Sequence, residues 1–508
     1  MKTKVLRTFL VLTVLLVTIV PTALADTATD SSALRNAVTL AGVRAHQKEF
    51  QKIANANGGT RVAGSPGYDK SADYVEGKLK KAGYTVTRQA FQFPFFRELA
   101  APVLEQVSPN PTTYVEGVDF ATMDYSGSGN VTALIQPTND IVIPPGPTAS
   151  TSNSGCEASD FTGFVAGRIA LVQRGTCNFS VKAANAQAAG AVGVIIFNEG
   201  QPDRSDLLFG TLGGPVVTIP VVGTTFALGN ELYSLYQSGD VTMHIFTSTV
   251  SETRTTTNVI AETASGRTDR VVVVGAHLDS VPEGPGINDN GSGSGAILEV
   301  ALQMANLKIQ PVNKVRFIWF GAEEEGLLGS AYYVSQLSSR QIKDIAVMLN
   351  FDMVGSPNFV RFVYDGDGSA TGIAGPNGSK AVEDVFLNYF ASQGLPTEPT
   401  EFSGRSDYGP FIAVGIPAGG LFTGAEGIKT AAQAAIYGGT VGAQYDPCYH
   451  LACDTFANNS DTALDQMSDA TAHAALAFAM TSSAVSGTDK GQGVGLSKFE
   501  YLGSKLQK

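Results

Sequence analysis

Three apolar runs limit what this chain can fold into. "RVVVVGAH" (residues 270–277), "KVRFIWF" (314–320) and "IAVMLNFDMV" (345–354) are β-branched and aromatic, of strand length, and separated by helical patterns. Continuous apolar strands alternating with helices predict an α/β fold: a mostly parallel, mixed sheet covered by helices on both faces. Each run ends in ionisable side chains. The first reaches His277 and, two residues on, Asp279, followed by Asp289 in the Gly-rich "GPGINDNGSGSG". The second meets Glu323, Glu324 and Glu325 in "FGAEEEG", and the third meets Asp352 in "NFDMVG". In an open α/β sheet, ligands bind in the crevice beyond the carboxyl ends of the strands.

So many carboxylates at one buried edge are destabilising unless a cation neutralises them. Mixed imidazole and carboxylate donors suit Zn²⁺, with Mn²⁺ or Co²⁺ as substitutes. Three ligand carboxylates and a hydroxide would balance two such ions. A second imidazole is wanted beside His277, and the chain has 5 histidines. His46 and His473 lie in helical patterns and His244 in the central region; these read as packing or surface residues. His450 stands in "DPCYHLACD", between two cysteines whose crosslink would hold it and Tyr449 in place. Each motif alone has a plainer reading. An HxD pair often caps or salt-bridges, three glutamates often begin a solvated helix, and the Gly-rich loop lacks both the P-loop lysine and the dinucleotide spacing. Their convergence on one sheet edge favours a metal centre.

Upstream, residues 43–59 and 65–84 read as amphipathic helices and 85–93 as a strand. Residues 107–250 change character, with short β-like runs among Gly, Pro and Thr and one helix in "NFSVKAANAQAAGA"; they read as an inserted β-rich domain. The α/β rhythm then resumes, and a polar, Gly-rich tail follows from 486. The 508 residues are 43% hydrophobic and 16% charged, enough for large cores and against general disorder. A net charge of -12 argues against nucleic acid as a partner.

Lys2, Lys4 and Arg7, the apolar run 9–20 and the "ALA" at 23–25 form a signal-peptide pattern, with an uncleaved anchor as the rival reading. The run is shorter than the ~20 residues a membrane span needs. Secretion implies an oxidising environment. The 4 cysteines fall in two local pairs, Cys156 with Cys177 and Cys448 with Cys453. Of the three connectivities four cysteines allow, sequence proximity favours this one. The expected organisation is a signal peptide (1–25), a first part of the main domain (26–106, with 26–42 as a candidate pro-segment), the insert (107–250), the remaining main domain (251–485) and the tail (486–508).

"GAHLDSV", "GPGINDNGSGSGAILE", "WFGAEEEGLLGS", "LNFDMVGSPN", "GRSDYGPF", "GGLFTGA" and "CYHLACD" resemble the secreted di-zinc aminopeptidases of the bacterial leucine aminopeptidase and aminopeptidase Y type. The insert, with "GRIALVQRGTCNFSVKAANAQAAGAVGVIIFNE", resembles a protease-associated (PA) domain. The resemblance implies a zinc exopeptidase fold and two Zn²⁺ per chain. Asp289 would bridge them, with His277 and Asp352 completing one position and Glu324 and His450 the other. Glu323 would be the general base, Tyr449 would hold the scissile carbonyl oxygen, and Asp279 would orient His277. Met353, Arg405 and Phe422 would face the substrate, and the peptide bond after Asp289 is often cis in such enzymes. The implied activity is release of N-terminal residues, large apolar ones such as Leu preferred, by a monomer outside the cell. A di-zinc carboxypeptidase or deacylase and a non-catalytic receptor-like protein are the competing readings. The sequence departs from relatives at Tyr408, where a histidine is common. Asp465 and Asp469 match two aspartates with which some relatives bind Ca²⁺, but their expected partner near the N-terminus is replaced around Ala37 and Val38, which puts that site in doubt.

Overall fold

The computed structural model describes residues 29–481; the signal-peptide pattern and the polar tail lie outside them. The apolar runs form neighbouring strands of one mixed sheet. Arg267–His277 lies between Asn313–Phe320 and Ile345–Phe351, parallel to both, and Ala418–Phe422 continues the parallel set beyond Ile345–Phe351. Phe362–Tyr364 and Glu398–Thr400 complete that edge.

Side-chain alternation shows why these strands are apolar throughout. Val272, Val274 and Ala276 point into a core with the helices Leu40–Ala56, Pro66–Lys81, Gly291–Asn306, Ser379–Ser392 and Asp461–Met480. Val271 and Val273 point into a second core with Leu328–Ser335 and Tyr408–Ala413. Both faces are covered, so neither set of side chains can be polar.

A long ribbon joins the main domain to the insert. Thr85–Ser108 pairs antiparallel with Thr242–Glu262, from Thr85 opposite Glu262 to Ser108 opposite Thr242, with irregularities between Glu98 and Val103. One end of the second strand pairs with Arg316–Trp319 of the main sheet, and the other pairs with Gly129–Leu134 of the insert. The boundaries expected at 106/107 and 250/251 therefore fall inside continuous strands. The insert adds Ile169–Gln173, Gly193–Phe197, Val221–Thr224 and Phe120–Thr122 to the sheet. It holds a second helix, Phe226–Ser238, beside the expected one at Phe179–Ala188. Thr225 caps that second helix by accepting from Leu228 N. Leu228, Leu232 and Leu235 recur at helical spacing in this run, but the β-like "TIPVVGTT" before it and its aromatic residues drew it into a strand-rich reading. Both expected disulfides, Cys156–Cys177 and Cys448–Cys453, are formed. Among the described residues no helix is long and apolar enough to cross a membrane.

Candidate metal centre

The strand ends deliver their ionisable groups to one place. Asp289 lies in the turn before the helix Gly291–Asn306, and its bond to Asn290 is cis. That helix starts tightly against the third strand: a Cβ on Gly293 would sit 2.2 Å from the Phe351 carbonyl oxygen. Asn290 caps the helix at Gly293 N, also accepts from Met353 N at 3.3 Å, and donates to the Phe351 carbonyl at 2.9 Å. One side chain thereby holds the Asp289 turn against the segment carrying Asp352.

His277 Nε2 lies 3.1 Å from Asp289 Oδ1, 3.4 Å from Asp352 Oδ1 and 3.9 Å from Glu323 Oε2. His450 Nε2 lies 3.1 Å from Glu324 Oε2 and 3.4 Å from Asp289 Oδ2. Asp289 thus faces one imidazole with each oxygen. Asp279 is 3.6 Å from His277 Nδ1, and its two oxygens accept from Glu323 N (3.2 Å) and Glu324 N (3.3 Å). It steadies both the histidine and the glutamate turn. Ser406 Oγ donates to Asp352 Oδ2 at 2.5 Å. The glutamates do not begin a helix. They form a turn ahead of Leu328–Ser335, whose cap is Leu327, so Glu325 lies outside the first helical turn and the helix end does not account for it.

The electrostatics are those of a site short of positive charge. Burial, reinforced by Asp352 and Glu324 and opposed by His277, holds the Glu323 carboxyl well above its usual range. Burial and Asp289 push Glu324 up to about 7. Burial disfavours charge on His450, but Glu324 and Asp289 outweigh it and push the imidazole up to about 11. Glu324 Oε1 and Asp352 Oδ1 are buried without a hydrogen-bond partner. Convergent carboxylates, two imidazoles and orphaned acceptor oxygens together fit divalent cations, and the donor set suits zinc.

Tyr449 stacks on the His450 ring, with centroids 3.8 Å apart, and Arg405 Nη2 donates to its hydroxyl at 3.4 Å. Arg405 is also paired with Glu426 at 2.6 Å. Met353 is buried, and Phe422 is half-buried and stacked on Phe362. Tyr408 is buried among Tyr364 and Phe402, and its hydroxyl accepts from Gly404 N at 2.9 Å, so it braces the Arg405 loop. The other histidines serve packing: His46 bonds Tyr74 and Glu299, His244 bonds Glu105 and Asn130, and His473 bonds Ser31 and stacks on Tyr389.

Asp465 and Asp469 lie on Asp461–Met480. Burial pushes Asp469 up to about 6, and the nearby Arg35 opposes the rise. Among the described residues, neither aspartate joins two further metal-ligating side chains. Asp365, Asp367 and Glu383 do cluster, but backbone amides and Lys380 already engage both oxygens of each aspartate and Oε2 of Glu383. Four buried groups escaped sequence reasoning. Asp407 is fully buried and pushed up to about 7 by burial, against the charge of His277. Arg61, fully buried, donates to the carbonyls of Leu278, Pro285 and Gly286 between His277 and Asp289. Asp446 and Asp454 flank the short disulfide. "GRSDYGPF" and "DPCYHLACD" contained three of these residues, but nothing in "GTRVAG" marked Arg61.

The chain is similar to known peptidases in sequence and fold. The profile of peptidase family M28 matches residues 258–475, and that of the PA domain matches residues 138–232. An aminopeptidase from Pseudomonas aeruginosa is 50% identical over 427 residues, 84% of this chain and 78% of that protein. Leucine aminopeptidase 2 of Trichophyton equinum is 41% identical over 429 residues, 84% of this chain and 81% of its own length. Among solved structures, an aminopeptidase from Aneurinibacillus sp. strain AM-1 superposes with a TM-score of 0.61 at 28% identity, covering 90% of this chain and 98% of that one. A zinc aminopeptidase from Bacillus subtilis gives a TM-score of 0.55 at 26% identity, covering 89% and 98%.

Proposed function

The chain belongs to peptidase family M28 and is a metallo-aminopeptidase, and we propose that it is a secreted, monomeric enzyme that removes large apolar residues such as Leu from peptide N-termini at a two-zinc centre. The observation that carries this reading is the position of Asp289, with one oxygen facing His277 and the other facing His450. Asp289 would bridge the two ions, with His277 and Asp352 holding one and Glu324 and His450 the other. When bound, the zinc ions supply Lewis acidity that makes water a nucleophile near neutral pH.

The remaining steps belong to side chains. Glu323 lies beside the ligands, 3.9 Å from His277, and by its match to the di-zinc aminopeptidases would take a proton from the attacking water and pass it to the leaving amine. The Tyr449 hydroxyl holds the scissile carbonyl oxygen as negative charge develops on it. Because Arg405 donates to that hydroxyl oxygen, the phenol's own proton is free for the substrate. The excess of carboxylates favours a substrate that brings a free α-ammonium group. Met353 and Phe422 provide apolar surface for the side chain of the residue released. Secretion accords with the N-terminal pattern and with two disulfides. The carboxypeptidase reading would need a cation free to bind a substrate carboxylate, yet Arg405 is already paired with Glu426.

Leucine p-nitroanilide and its N-acetylated form test the proposal. The free substrate should be hydrolysed, chelation should abolish this and zinc restore it, and the blocked substrate should remain intact. Turnover of the blocked substrate would overturn the aminopeptidase mechanism in favour of a deacylase or endopeptidase.

A further inference from the structure

The ring closed by Cys448 and Cys453 carries Tyr449 and His450, but it fixes only its own shape. Its place relative to Asp289 has to be set by something else. Asp446 and Asp454 flank the ring on either side, 0% and 2% exposed. Asp454 accepts from Asn288 N through Oδ1 at 2.8 Å and from Asp289 N through Oδ2 at 3.0 Å, and its carbonyl accepts from Ile287 N at 3.1 Å. Asp446 accepts from the Asn288 side-chain amide at 2.7 Å and from Cys448 N at 2.8 Å. Asn458 Nδ2 joins the two carboxylates, donating to Asp446 Oδ1 at 2.8 Å and Asp454 Oδ1 at 3.3 Å.

We propose that Asp446 and Asp454 are positioning residues that clip the His450 loop to the Asp289 loop and so set the geometry in which zinc is held. The proposal rests on the two-zinc reading above. Every group that faces these carboxylates in the bonds just described is a donor, so a carboxylate satisfies them where an amide cannot. Asparagine at 454 has nearly the same shape, but it turns an NH₂ towards a backbone N–H whichever way it is oriented. The lost acceptor would loosen Asp289 from its spacing to His450. Partners one step removed from a metal typically change metal affinity about 10–100-fold when mutated.

The test compares wild type, Asp454→Asn and Asn313→Ala by chelator-competition titration of Zn²⁺ and by the visible spectrum of the Co²⁺-loaded proteins. Asn313 is buried at the start of Asn313–Phe320, the end of that strand away from the glutamates, and its amide donates to the Phe478 and Thr481 carbonyls, so its loss destabilises without touching either loop. Asp454→Asn should bind zinc about 10–100-fold more weakly and shift the Co²⁺ spectrum, while Asn313→Ala keeps wild-type values for both. Wild-type affinity and spectrum in Asp454→Asn, or an equal loss in Asn313→Ala, would overturn the proposal. Should Asp454→Asn fail to fold, Asn458→Ala decides by the same readouts: weaker zinc binding supports the clip, and unchanged binding rejects it. A wild-type protein that takes up no zinc would overturn the two-zinc reading and this proposal together.

Discussion

At the scale of residues, three adjacent glutamates have three different surroundings. Glu324 approaches His450 at 3.1 Å, Glu323 approaches His277 at 3.9 Å, and Glu325 is half-buried near Asp279 and Arg254. The sequence showed that this edge was acidic and followed a buried strand. Only likeness to known enzymes separated base from ligand, because consecutive residues in a turn point in directions that composition does not reveal. The proposed division of roles predicts that Glu323→Gln lowers kcat by about 10²–10⁴-fold while zinc content per chain stays at the wild-type value. Loss of zinc together with activity would make Glu323 a ligand, and near-normal kcat would remove it from the chemistry.

At the scale of elements, the strands were legible because burial on both faces demands continuous apolar runs, and the crevice was legible because those runs end in charge. The ribbon was less so. Thr85–Ser108 continues well past the "QFPFF" segment at which the alternation becomes irregular, and Pro94 and the exposed stretch around Leu99 disguise the continuation. The tie between the two loops was invisible, since Asp454 acts through the backbone amides of Asn288 and Asp289 and Asp446 through the Asn288 side chain, all remote in sequence. The two disulfides should separate cleanly in function. Replacing Cys448 and Cys453 by serine frees Tyr449 and His450 and should cut kcat on leucine p-nitroanilide by about 10²-fold, the cost of misplacing a reacting group by about 1 Å. Replacing Cys156 and Cys177, which close a loop of 21 residues, should lower stability by about 3 kcal/mol with kcat retained at 25 °C. Thermal melts and steady-state rates on the two double variants check this; equal kinetic losses would contradict it.

At the scale of the whole molecule, unrelieved acidity should appear as pH-dependent stability. Burial raises Asp124 to about 6, Asp407 to about 7 and Glu325 to about 8. Unfolded, such carboxyls titrate near ~4. Between these limits the folded chain binds more protons than the unfolded one, so stability falls as pH rises. The contribution is whole below about pH 4 and lost by about pH 8. His450, raised to about 11, acts with the same sign over its own range. Zinc-free protein should therefore melt at a higher temperature at pH 5 than at pH 8, and added zinc should raise the pH 8 value most. Greater stability of the zinc-free protein at pH 8 would contradict this account of the buried carboxyls. Reconstitution tests whether two ions are needed. Chelated protein is titrated with Zn²⁺ while bound zinc per chain and leucine p-nitroanilide hydrolysis are followed together. The account predicts that activity rises to a plateau at two zinc ions per chain; a plateau at one, or full activity with none bound, would contradict it.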